Sequence, residues 1–134
     1  MPSIVNKIRA TAVGRRKTAS ASVRLVTGDG SIIVNGIPAE KYFPGALAKA
    51  RFELPFKIVE VSIYSVTAIV AGGGSNGQLD AVILGIARAL LKIKESFRPL
   101  LRQAGLLTRD PRERQRRMVG MGGKSRRRKQ SPKR

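Results

Sequence analysis

Residues 19–27, ASASVRLVT, alternate in character: Ala21, Val23 and Leu25 fall on one side, Ser20, Ser22 and Arg24 on the other. A period of two with one apolar side predicts a half-buried strand. Gly28-Asp29-Gly30 reads as a turn and SIIVNG as a second strand, so the two runs are expected to pair as a hairpin. Beyond Pro38 and Pro44-Gly45, ALAKARFEL (46–54) predicts a short helix stopped before Pro55. The Val- and Ile-rich run IVEVSIYSVTAIVA (58–71) predicts a buried strand over at least 63–71. After the glycine-rich GGGSNG (72–77), Leu79, Val82, Ile83, Ile86 and Leu90 recur at helical spacing. Ser75 and Gln78 have the S-x-x-Q spacing of a capping box, which predicts a helix start near Asn76. Ala81, Gly85, Ala87 and Ala89 are small, so this helix is expected to lie close to the sheet. Ser96 or Arg98 opens a second helix with Pro99 in its first turn, and Gly105 suits its C-terminal cap. Strands and helices are mixed, with no internal repeat. The fold class is α+β, a mixed sheet with helices packed on it.

The pattern fades after Thr108. Residues 109–134 hold 12 Lys and Arg against two acids, with Met118, Val119 and Met121 as their sizeable apolar side chains. Such a segment buries too little surface to offset its ordering entropy. The expected organisation is a globular body over residues 1–108 and a basic arm over 109–134 that is disordered without a polyanion.

Charge then narrows the function. The whole chain carries 27 Lys and Arg against 8 acids, a formal net charge of +19. That excess repels itself and attracts a polyanion, nucleic acid first and an anionic membrane surface second. Cys and His are both absent, which removes thiol and imidazole chemistry and nearly all zinc sites. No metal or cofactor is expected. Apolar runs are too short to span a bilayer, and the start lacks a secretory h-region, so the expected location is the cytoplasm or an organelle matrix. Asp29, Glu40, Glu53, Glu60, Asp80, Glu95, Asp110 and Glu113 are scattered singly, without the pairing of acid/base catalysis, so no catalytic residue is expected. The aromatic residues are not interleaved with the basic clusters, so a base-stacking platform is not indicated.

Gly72, Gly74 and Gly77 match the G-x-G-x-x-G spacing of a dinucleotide-binding turn. That reading requires a second parallel strand ending in an acid for the ribose. Glu95 has about the right distance, but it sits in KIKESFRPLL, which is charged and then helical. No Gly-Lys-Ser/Thr follows for a Walker A loop. A glycine turn at a helix N-terminus also suits an RNA phosphate, with Gly72, Gly73 and Gly74 permitting close backbone approach. In GRRKTA (14–19), Arg15, Arg16 and Lys17 are three consecutive cations suited to phosphate contact. Arg109 and Arg112 stand at the base of the arm. Lys124, Arg126, Arg127, Arg128, Lys129, Lys133 and Arg134 crowd its end, where an extended segment threads between RNA helices. A small nucleotide-binding enzyme and a basic DNA-packaging protein remain the alternatives from other classes.

Four blocks in order resemble the family of small-ribosomal-subunit protein nine. They are GRRKTASASV (14–23), GSIIVNGIPAEKYF (30–43), GGGSNGQLDAVILGIARAL (72–90) and LLTRDPR (106–112). The resemblance implies the left-handed βαβ fold named for the second domain of small-subunit protein five. It also implies a place in the head of the small subunit, on ribosomal RNA and beside other head proteins, with no small-molecule substrate and no membrane. The residues expected to bind that rRNA are Arg15, Arg16, Lys17, Gly72, Gly73, Gly74, Arg109, Arg112, Lys124, Arg126 and Arg127. The family's arm reaches the P-site transfer-RNA anticodon stem-loop; carried over, that role falls to Lys133 and Arg134, with Arg128 as a further candidate. The family usually closes with an aromatic or similar residue followed by Ser-Lys-Arg. Here Gln130 has no aromatic successor, and Pro132 separates Ser131 from Lys133, shifting the register by one.

Overall fold

The computed structural model describes residues 8–120. Its centre is a five-stranded sheet in the order β1-β2-β5-β3-β4. The strands are β1 (Ile8–Arg16), β2 (Ala19–Thr27), β3 (Ile32–Val34), β4 (Ile37–Pro38) and β5 (Tyr64–Ala71). Helix α1 (Ala39–Tyr42) is a single turn. Helix α2 (Ala46–Val59), α3 (Ser75–Ile93) and α4 (Arg98–Gln103) follow, with a 3-10 turn at Glu95–Phe97. The α+β class and the mixed sheet expected from the sequence are both present.

The expected hairpin is replaced by another. β2 pairs antiparallel with β1 through a turn at Lys17–Thr18, and on its other side with β5. With both edges occupied it has none left for β3, which pairs parallel with β5 and antiparallel with β4. Asp29 steers the chain over the end of β5: its Oδ1 accepts the Ser31 N–H at 3.2 Å and the Ser65 hydroxyl at 3.1 Å. The parallel pair β3 and β5 is thus joined across the intervening β4, α1 and α2.

Strand β1 had escaped the periodicity because its inner row is Ala10, Ala12 and Gly14, too small to read as a core face. Those residues are small because α3 lies on them. A β-carbon at Gly85 of α3 would come 2.6 Å from Val23 Cγ2 and 3.3 Å from the Gly14 nitrogen. The close approach expected for α3 is therefore real, and Gly14 is its other half. Val23, Leu25, Val66, Val82, Ile86 and Leu90 fill the layer between sheet and helix, essentially without solvent contact. Each such aliphatic side chain contributes about 1.5–3 kcal/mol through burial.

Helix α2 runs through Pro55, where a stop was expected. The proline removes one helical N–H, but its ring is fully buried, and that packing offsets the lost bond. The helix ends at Glu60, in the left-handed region at φ 56°. Helix α4 ends as expected at Gly105, φ 76°. The Gly105 N–H donates to the Arg102 carbonyl at 3.0 Å and the Leu106 N–H to the Leu101 carbonyl at 3.1 Å, a Schellman cap. Leu106 and Leu107 then fold back against the core. Residues 109–118 form no regular element.

Candidate nucleic-acid interface

The register Ser20↔Ala71 brings the β1–β2 turn and the β5–α3 turn to one end of the sheet. Gly72 and Gly73 have φ 76° and 68°. A β-carbon on Gly72 would lie 2.6 Å from the Thr18 carbonyl oxygen, and one on Gly73 would lie 2.9 Å from Ala19 Cβ. These two glycines are required by the protein itself, to seat one turn on the other. Gly74 has open space around it and is the N-cap of α3.

The expected capping box does not form, because Gln78 is engaged elsewhere. Its Nε2 donates to the Gly72 carbonyl at 3.0 Å, and its Oε1 accepts the Tyr42 hydroxyl at 2.7 Å. Tyr42 in turn accepts from Asn35 Nδ2 at 3.4 Å. Asn35, at φ 51°, pairs its side chain with the backbone of Val70: Nδ2 to the carbonyl at 3.0 Å, and Oδ1 from the N–H at 2.8 Å. A chain of polar contacts therefore runs from the β3–β4 turn to the glycine turn. It fixes the turn from behind and leaves the first turn of α3 without a side-chain cap. Its backbone N–H groups and positive dipole end suit an anion.

The three consecutive cations do not form one patch. Neighbours on one strand end, Arg15 and Arg16 differ in exposure. Arg15 and Lys17 are exposed, and Lys17 holds the turn at φ 54°. Arg16 points inward, with a side chain 12% exposed. Its Nε lies 3.5 Å from Asp80 Oδ2 and its Nη1 lies 2.7 Å from Asp110 Oδ1. Asp80 also pairs with Arg51 of α2. The Asp80 carboxylate is thus shared between two guanidinium groups.

Asp110 receives the Arg112 N–H at 3.0 Å, and the Arg112 guanidinium through Nε at 2.9 Å and Nη2 at 2.6 Å. The Arg112 guanidinium, then the Arg112 N–H, hold the Asp110 carboxyl below the usual carboxylate range, with added attraction from Arg16. These contacts close a local turn between Asp110 and Arg112. Arg109 reaches Glu113 at 3.9 Å. Arg15, Arg16, Arg51, Asp80, Asp110 and Arg112 line an open cleft of about 300 Å³. Arg51 and the two aspartates escaped the sequence reading because their partners are 29 to 94 residues away.

Arg88 is committed to the sheet edge, donating to the Val13 carbonyl at 2.8 Å, and Lys92 donates to the Thr11 carbonyl beside it. Lys124, Arg126, Arg127, Arg128, Lys129, Lys133 and Arg134 lie outside the described residues. Among the described residues, no group of acids is placed to hold a metal ion, and no helix is long and apolar enough to cross a membrane.

The sequence was also compared with known proteins. The model of the family described as ribosomal protein S9/S16 matches residues 14–134. The small ribosomal subunit protein uS9 of Leifsonia xyli subsp. xyli (strain CTCB07) is 46% identical over 122 residues, covering 90% of this chain and 73% of that protein. The match begins at Gly14, where β1 meets α3, and takes in the glycine turn, Asp110 and the basic segment. The chain belongs to the ribosomal protein S9/S16 family.

Proposed function

We propose that this chain is a structural constituent of the small ribosomal subunit that binds small-subunit rRNA and does no chemistry. The observation that carries the reading is the joint exposure of Arg15 and Lys17 beside the α3 N-terminus, which has no side-chain cap. Two cations and a set of helix N–H groups at one end of the sheet suit a phosphate backbone, which positions a protein without reading sequence. Arg16 takes the part of an organiser behind that surface. The basic segment 109–134 reaches toward the P-site transfer RNA, with Lys133, Arg134 and Arg128 at the anticodon stem-loop, beside other head proteins. The fold proposed is the left-handed βαβ type that the family resemblance implies, with β3 and β5 as its parallel pair. The chain works where ribosomes translate, in the cytoplasm or an organelle matrix.

The dinucleotide reading loses ground on two points. Gly72 and Gly73 are occupied by Thr18 and Ala19. Among the described residues no strand follows α3, and Glu95 instead pairs with Arg98 at 2.7 Å. The test compares the full chain's binding to a transcript of the small-subunit head rRNA with its binding to duplex DNA of equal length and salt. At least tenfold preference for the transcript, with incorporation into reconstituted small subunits, is expected. Equal affinity without incorporation would favour DNA packaging.

A further inference from the structure

Arg16 sits at the end of β1, yet its guanidinium bridges two other parts of the chain. It meets Asp80 on α3 and Asp110 in the segment after α4, and its Nη1 also reaches the Arg112 carbonyl at 3.5 Å. Asp80 is held from its far side by Arg51 of α2, so the guanidinium is braced on the body before it meets Asp110. Leu106 and Leu107 are already packed on the core just before this point. Beyond Asp110, every described residue is exposed. Among the described residues, the last ties between body and basic segment are therefore those of Arg16 to Asp110 and to the Arg112 carbonyl.

We infer that Arg16 is a positioning residue: it latches Asp110 to the body and so sets the direction in which the basic segment departs. A cation spent on two carboxylates is withdrawn from phosphate contact. In return, residues 109–112 are ordered before any polyanion arrives, which removes part of the ordering cost from the binding step. Arg112 supports the latch by closing the local turn on Asp110 with its guanidinium, and its carbonyl, not its side chain, accepts from Arg16. The inference does not depend on which polyanion the segment meets.

The absence of cysteine allows a direct test on the full chain. Thr67→Cys on the exposed sheet face and Arg117→Cys beyond the latch take spin labels, and pulsed electron paramagnetic resonance gives the distance distribution between them. The latched chain is expected to give a narrower distribution than the latch variants. Asp110→Asn should at least double its width while leaving circular dichroism and the melting transition essentially unchanged. Arg16→Gln should do the same to the width. Arg112→Gln, which leaves Arg16 on Asp110, should broaden it much less. Widths equal to the parent's in Asp110→Asn would overturn the latch, as would broadening in Arg112→Gln alone. Asp110 lies outside the core, so its variant reports even where Arg16→Gln does not fold. A purely fold-stabilising Arg16 would lower the melting temperature without moving the width.

Discussion

Gly14 on β1 and Gly85 on α3 meet backbone to backbone: a β-carbon on Gly14 would lie 2.5 Å from the Gly85 nitrogen. Backbone cannot rotate away, so Gly14→Ala is expected to destabilise the protein by about 3 kcal/mol, the upper part of the usual overpacking range. Gly85→Ala meets chiefly the Val23 side chain, which can shift, and gains about 1 kcal/mol of helix propensity. It should cost clearly less than Gly14→Ala. Urea denaturation of the two variants checks the order; equal losses would mean that backbone contact does not set the cost.

If Arg15 and Lys17 carry the phosphate contacts and Arg16 does not, charge removal should separate them. Arg15→Gln with Lys17→Gln should reduce the salt slope of RNA binding by roughly 1.4–1.8, at about 0.7–0.9 per phosphate. Adding Arg16→Gln should change the slope little further but lower the melting temperature. Binding isotherms at several salt concentrations measure the first, thermal denaturation the second.

Tyr42 stands between Asn35 and Gln78, and through Gln78 it braces the Gly72 carbonyl. Tyr42→Phe keeps the ring and its edge-on packing with Phe43 but removes the hydroxyl. A loss of about 1–2 kcal/mol is expected, from hydrogen bonds worth about 0.5–1.5 kcal/mol each. Amide exchange at residues 72–75 should quicken more than exchange in β2. Uniform quickening would show that the brace is not local.

Elements whose own residues carry a period were legible. Strand β2 matches its alternation from Ala19 to Thr27, and α3 follows Leu79, Val82, Ile83, Ile86 and Leu90. Strand β1 was not legible, because its inner row is small only on account of a helix 70 residues further along. The β2–β3 hairpin failed for a related reason: a turn sequence such as Gly28-Asp29-Gly30 says that the chain bends, not which strand occupies the neighbouring edge. The site divides the same way. The positions of Arg15 and Lys17 followed from local charge. The withdrawal of Arg16 and Arg51 onto Asp80 and Asp110 depends on the tertiary arrangement, which no local pattern encodes.

Asp110 also makes the latch sensitive to acid. Its carboxyl is held below its ordinary value by the Arg112 guanidinium first, and by Arg16 of β1 as well; Asp80 of α3 shares Arg16 with it. A depressed carboxyl pKa contributes stability that is present above the unfolded value of about 4 and is lost as pH falls through the folded value. The Thr67–Arg117 label distance should therefore stay narrow from neutral pH to about 4 and broaden below it. In Asp110→Asn it should be broad throughout. Added salt should weaken the parent's latch at neutral pH, because the pair is partly exposed and screened. A width that ignores both pH and salt would remove the ion pair from the latch.

The proposed P-site role of Lys133 and Arg134 is tested by deleting both. Two cations behind Pro132 offer electrostatic grip. Each should contribute around 1 kcal/mol, the value for charged hydrogen bonds of ~1.5–3 kcal/mol reduced by screening. Subunit assembly should survive the deletion, because the proposed body contacts at Arg15 and Lys17 are untouched. Transfer RNA should leave the P site of purified small subunits roughly tenfold faster or more at low salt, with the difference shrinking as salt rises. Equal off-rates at every salt would transfer the role to the Arg126–Lys129 run. The same deletion combined with Asp110→Asn adds a further discrimination. If the latch aims the segment, Asp110→Asn alone should speed release although it adds a positive charge to the protein, and the two changes together should add less than their sum, because a misdirected segment no longer brings its tip to the site.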